Sequence, residues 1–168
     1  MKSIFEHQSF PKEMGFTIKE YIQPHFSSPY HFHDLYELIL IANSYGKLYA
    51  GNKVLNFNKN EVFMFGPGLP HCFYNEKSFV STGEAAHAIV IFFKEDFLGE
   101  NFFLHNDLIR TKALLQDSAF GIKVKEPNEV IETLFMEITK SKGIDSLIIL
   151  LQLLNMLSGQ NVDKILIN

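Results

Sequence analysis

From about residue 15 to residue 93 the chain alternates short apolar runs with turn residues: GFTIKEYI, LYELILIAN, KLYAG, KVLNF, EVFMF, HCFYN and AAHAIVIFF. The dividers Ser44-Tyr45-Gly46, Gly51-Asn52, Asn58-Lys59-Asn60 and Gly66-Pro67-Gly68 carry turn chemistry rather than helix caps. Short strands at this spacing predict a sandwich or barrel. After Phe93 the pattern becomes helical. Asn106 or Asp107 is placed to cap a helix running to about Gln116. Pro127-Asn128 opens a second, EVIETLFMEITK, with Val130, Ile131, Leu134 and Ile138 at helical spacing and Gly143 after its end. Asp145 or Ser146 starts a third, closing near Gly159. Nine of the eleven residues from 147 to 157 are apolar, the exceptions being Gln152 and Asn155. A helix apolar all round must be covered on more than one side. Either its own barrel and helices enclose it, or one face packs on the domain and another on a second copy; the expectation taken here is a homodimer.

Composition narrows the class. The chain has 168 residues, 46% of them hydrophobic, which is enough for one well-cored domain. Seventeen phenylalanines and no tryptophan predict a core of flat side chains at β positions. The net charge is −4 and the lysines are scattered, so this stretch carries no phosphate-binding footprint. The opening MKSIFEHQSFPKEMGF is broken by Glu6, His7, Lys12 and Glu13 and lacks the apolar core of a signal peptide. A single cysteine, Cys72, excludes an intramolecular disulfide and fits a reducing compartment. The longest apolar runs, 88 to 93 and 147 to 151, fall far short of the ~20 residues that span a bilayer. These features predict a cytoplasmic protein with no membrane partner. Residues 1–14, of mixed polarity and containing Pro11, read as an arm or a disordered terminus. Residues 15–100 read as the barrel and 101–168 as a helical segment.

The candidate chemistry lies in PYHFHDLYELILI. Alternate side chains of a strand share a face. If the strand is regular through residues 31 to 37, His31, His33 and Glu37 point the same way, into the side that Ile39 and Ile41 also line. In GPGLPHCFYN a further histidine, His71, begins another strand, with Phe73 and Asn75 on its face. Three imidazoles and one carboxylate suit Zn, Fe(II), Mn, Ni or Cu, and spacing cannot choose among them. The same groups can instead satisfy one another, water or a polar ligand. Cys72 has the opposite parity to His71 and Phe73, so it is expected to face away from this set as a buried structural thiol.

These residues carry a resemblance. His31-x-His33, Glu37 and Gly46 resemble the first cupin motif, and Asn60, Gly68, His71 and Asn75 fall where the second has its Gly, Gly, His and Asn. Asn60 departs by replacing a glycine and Gly66 by replacing a proline, and eight residues rather than six separate Glu37 from Gly46. More specifically, PYHFHDLYELILI, NEVFMFGPGLPHCFYN, FFKEDFLGENFF and LIILLQLLNMLS, in this order from about Phe16 to Leu157, look like the N-terminal sensing domain of AraC-type transcriptional regulators.

The resemblance implies a mainly β, cupin-like barrel followed by about three α-helices. It implies a small-molecule effector, a sugar or similar polar metabolite, bound inside the barrel. His31, His33, Glu37, Ile39, His71, Phe73 and Asn75 would line that site, and the three histidines with Glu37 would hold a metal if one is bound. The C-terminal helices would pair two subunits. In that family a separate helix-turn-helix domain binds DNA, and no basic recognition helix occurs in this sequence. The expectation is therefore a fragment of a longer regulator, with DNA bound by a domain missing from this chain. The arm would close over the barrel mouth on effector binding. Two rival readings stand beside it: a stand-alone metal-dependent cupin enzyme, an oxygenase or isomerase, and a dimerisation module whose pocket is filled by its own phenylalanines.

Overall fold

A computed structural model describes residues 2–8, 15–124 and 127–167 of the chain. Pro11 and most of the second half of the expected arm lie outside the described residues. Among the described residues, eleven strands and four α-helices follow one another. The strands are β1 (Ile4–Phe5), β2 (Phe16–Gln23), β3 (His31–Phe32), β4 (Tyr36–Asn43), β5 (Gly46–Ala50), β6 (Lys53–Phe57), β7 (Val62–Phe65), β8 (His71–Asn75), β9 (Ala86–Phe93), β10 (Ile122–Val124) and β11 (Val162–Lys164). The helices are α1 (Lys77–Thr82), α2 (Ile109–Asp117), α3 (Glu129–Ile138) and α4 (Ile144–Leu157).

The strands form two facing sheets, ordered β1-β3-β8-β5-β6 and β11-β10-β7-β4-β9-β2. Among the described residues, all pairings are antiparallel except that of β1 with β3. This is the mainly β, cupin-like fold with appended helices that the sequence predicts.

The unbroken apolar run of β4 follows from its place. It lies between β7 and β9, and both of its faces are covered, so alternation in polarity is lost while alternation in direction remains. Tyr36, Leu38 and Leu40 join Val62, Met64, Ile89, Ile91 and Phe93 in a core shared with the helices. Ile39 and Ile41 join Phe63, Phe65, Phe73, Val90 and Phe92 in a second core between the sheets. The candidate site opens into that second core.

The C-terminal part differs from a purely helical segment. β10 and β11 extend the six-stranded sheet, and Ile165 reaches the inter-sheet core. Asn128 caps α3 as expected, its side chain accepting the Ile131 N–H at 3.0 Å. Asn106 and Asp107 do not cap α2. They sit in a 3-10 turn over Asn106–Leu108, and α2 starts at Ile109 without a side-chain cap. The short α1 was not legible, because KSFVST has too few turns to show a periodic face.

Two departures from the cupin pattern have local causes. Asn60 takes the left-handed conformation, φ 64°, that a glycine would supply, and asparagine tolerates it better than most residues. Gly66 donates its N–H to the Ser118 carbonyl at 2.8 Å, a bond that proline could not make. The register shift between Ile41 and Asn43 absorbs part of the extra length before Gly46.

Candidate functional site

The chain does not run as one strand from His31 to Glu37. β3 ends at Phe32, residues 34 and 35 bend, and β4 begins at Tyr36 in the other sheet. The premise of a regular strand is therefore corrected. His31 belongs to the five-stranded sheet and Glu37 to the six-stranded one, and the bend between them folds His33 back towards Glu37. His71 arrives independently, because its Cα pairs with that of His31 across β3 and β8.

The result is a single buried cluster. One donor atom from each of His31, His33, Glu37 and His71 lies within 4.8 Å of the others, and all four residues are buried. Each imidazole is fixed from behind. Nδ1 of His31, His33 and His71 lies 2.8, 3.1 and 2.9 Å from the carbonyl oxygens of Pro29, Leu35 and Leu69. A carbonyl can only accept, so each Nδ1 carries its proton there and each Nε2 is left for the centre. Oε2 of Glu37 takes two of them, His33 Nε2 at 2.9 Å and His71 Nε2 at 2.8 Å. The third, His31 Nε2, lies 3.0 Å from Glu6 Oε2. The ring of His71 also stacks on Phe65, with centroids 4.2 Å apart.

Electrostatics follow from this geometry. Burial alone would raise the Glu37 carboxyl, but the His71 charge and the hydrogen bonds from His33 and His71 hold it far below the usual carboxylate range. Burial opposes charge on His71 too, yet Glu37 overcomes it and raises the imidazole above its ordinary value. His31 is lowered, first by burial and then by the neighbouring His71. No buried side-chain nitrogen or oxygen among the described residues lacks a partner.

Ligand-orienting contacts of this kind are the usual support of a metal site, where backbone carbonyls or carboxylates fix the ring nitrogen that does not bind. Here the Nε2 atoms of His33 and His71 face Glu37 and that of His31 faces Glu6, the position that a metal ion would take. The donor set therefore fits a divalent transition metal held by His31, His33, His71 and Glu37. Such an ion would supply a Lewis-acidic centre.

Beside the cluster lies a cavity of about 60 Å³, bordered by His31, Glu37, His71, Ile39, Phe73 and residues of β2 and β9. It is smaller than typical ligand pockets of about 300–1,000 Å³. The arm residues Glu6 and Gln8 also border it. Phe73 lines the cavity, but its ring is also packed edge-on against Phe57 and Phe63. Asn75 is not brought to the cavity. Its carbonyl accepts the Phe26 N–H at 2.6 Å and its amide donates to Ser44 Oγ, which ties the loop after β2 to the barrel. Cys72 is buried and borders the cavity, but stands outside both the donor cluster and the inter-sheet core. Burial raises its thiol.

Sequence reasoning missed Tyr21, Gln23, Val90 and Phe92 in the cavity wall. Alternation in β2 and β9 was the available signal. Nothing in the sequence marked Glu6 as a partner of His31.

No protein-family model matches the sequence, and no curated protein matches it. Among solved structures, the chain is similar to a Cupin 2 conserved barrel domain protein from Salinispora arenicola CNS-205, at 19% identity and a TM-score of 0.41. That match covers 54% of this chain and 74% of the other. It is also similar to ToxT from Vibrio cholerae in two structures. One, with unsaturated fatty acid bound, matches at 13% identity and a TM-score of 0.36, over 71% of this chain and 36% of ToxT. The other matches at 16% and 0.40, over 75% and 54%. Likenesses at this level leave function to the chain's own residues. No helix among the described residues is long and apolar enough to cross a membrane.

Proposed function

We propose that this chain is the small-molecule-sensing and dimerisation part of an AraC-type transcriptional regulator. Its cupin-like barrel holds one divalent transition metal, Zn, Ni, Fe, Mn or Cu, on His31, His33, Glu37 and His71, with the effector site beside it. The single observation carrying the site is the buried four-donor cluster with every Nδ1 tied to a carbonyl. The regulator reading rests on the order and spacing of the sequence motifs, and transcriptional control belongs to a DNA-binding domain outside this sequence.

The test is elemental analysis by mass spectrometry on protein purified without a histidine tag, beside the variant His31→Ala/His33→Ala. Near-stoichiometric metal in the first and its loss in the second are expected. Metal-free, folded wild-type protein that also fails to take up added zinc would end the metal assignment and leave a polar effector pocket.

The same cluster favours one rival, a stand-alone metal-dependent enzyme of the oxygenase or isomerase kind. Metal-dependent turnover that vanishes in both His31→Ala and His71→Ala would replace the sensor reading.

A further inference from the structure

Glu37 serves two of the three imidazoles through one oxygen, and the third is served from outside the barrel. The outside partner is Glu6. Its backbone is placed by β1, which adds in parallel to β3: Ile4 N–H donates to the Tyr30 carbonyl at 3.1 Å and Glu6 N–H to the Phe32 carbonyl at 2.9 Å. Two residues later Gln8 accepts a hydrogen bond from the Lys19 ammonium at 2.5 Å. β1 is only two residues long, and Ile4 and Phe5 are about half exposed. So short an edge strand is weakly held. The Glu6 side chain is itself 38% exposed, whereas that of His31 is 7% exposed. The histidine belongs to the barrel and the carboxylate is a visitor.

The cavity that the Glu6 carboxylate borders is lined by polar side chains, Glu37, His71, Tyr21 and Gln23 among them, and by the apolar Ile39, Phe73, Val90 and Phe92. The place therefore offers a carboxylate position on His31 and, in the same cavity, apolar side chains for a short tail to rest on. We propose that Glu6 is a built-in stand-in for the carboxylate of a small effector: a short monocarboxylic acid takes its place on His31, or on a metal held there, and lays its tail against Ile39, Phe73, Val90 and Phe92. This rests on the sensing role proposed above and names its ligand class. The exchange conserves charge, because one carboxylate leaves the imidazole as another arrives. A neutral ligand would not restore the carboxylate contact that Glu6 makes with His31 Nε2.

The probe is butyrate, titrated calorimetrically into the whole 168-residue chain, wild type and Glu6→Gln, each metal-free and zinc-loaded. Removing the internal competitor should tighten butyrate binding about tenfold or more, the worth of one charged hydrogen bond. Tightening should be about fourfold for each methylene from acetate to butyrate, as the tail covers those apolar side chains. Butyramide should bind neither protein, and His31→Gln should abolish the Glu6-dependent gain. Glu6→Ala, which leaves no amide to bond His31, should behave as Glu6→Gln and guards against a fold-specific effect of one variant. Equal butyrate affinity in wild type and both Glu6 variants, or no binding to any of them, overturns the proposal. Zinc uptake is read in the same experiment. Failure to bind zinc with Glu6-dependent butyrate binding intact would remove the metal alone, and zinc bound with butyrate indifferent to Glu6 would remove this inference alone.

Discussion

At the scale of single residues, the site is made by pairing each imidazole twice, once behind and once in front. The carbonyls of Pro29, Leu35 and Leu69 take one ring nitrogen each, and the carboxylates take the other. Uncompensated burial of such groups would be costly. The field of the site reaches the phenol of Tyr21, and a separate carboxylate acts on that of Tyr36. Burial, then the negative charges of Glu37 and Glu6, push Tyr21 up to about 12, and burial with Glu95 does the same to Tyr36. A raised phenol pKa means that folding favours the protonated form. Its contribution is complete below the ordinary value of 10.0 and is lost as pH rises from there towards 12. Phenolate absorbance should therefore show ionisation of Tyr21 and Tyr36 near 12, with the Tyr36 share of it missing in Tyr36→Phe. The urea midpoint should fall across the same window, and fall less in Tyr36→Phe. A variant as alkali-sensitive as wild type would show that Tyr36 does not contribute to that loss.

At the scale of elements, close approach between strands does what side chains cannot. Gly46 opens β5 directly opposite Asn75 of β8. A Cβ added there would stand 2.0 Å from the Tyr74 carbonyl oxygen, a backbone atom that cannot swing aside. Gly46→Ala should cost about 3 kcal/mol, the upper end of ordinary overpacking, measured by urea unfolding. A change below about 0.5 kcal/mol, the range of a neutral surface substitution, would show that the two strands separate freely. This glycine was readable in the sequence as part of a motif, and so was the inward phase of Ile39, His71 and Phe73, because a period of two survives whatever sheet a strand joins. The bend between β3 and β4 was not readable. His31 to Glu37 look continuous in sequence, and only the pairing of His31 with His71 shows that they belong to different sheets. Asn75 misled for a related reason, since parity gives a face but not the depth at which a strand leaves the barrel. Glu6 and the short β1, β10 and β11 depend on contacts between residues distant in sequence, which no local pattern carries.

At the scale of the whole molecule, α4 has one face in the core and another at the surface. One face, with Ile149, Leu150, Leu153, Leu154 and Leu157, closes the core between the six-stranded sheet and the helices. The opposite stripe is bare. Ile144 is 67% and Ile148 47% exposed, and Ile148 and Leu151 border a shallow apolar recess with Phe102 and Leu108, rimmed by Gln152 and Asn155. Exposed Ile109 and Leu104 also lie on the helical half of the molecule. An apolar patch with a few polar residues at its rim has the anatomy of an interface, and paired Gln152 and Asn155 side chains could fix the register of two antiparallel copies as buried amides do in coiled coils. The expected assembly is a two-fold dimer with α4 at its centre, which is the arrangement the proposed regulator needs in order to present two DNA-binding domains together. Sedimentation equilibrium should show two copies associating reversibly. Ile148→Asp, which sets a charge in the middle of the stripe and touches no fully buried residue position, should weaken association at least thirtyfold, as loss of a central contact does, while leaving butyrate and zinc binding unchanged. A wild-type chain that stays monomeric at all accessible concentrations would refute dimerisation through α4, and an Ile148→Asp variant that dimerises as well as wild type would move the interface elsewhere.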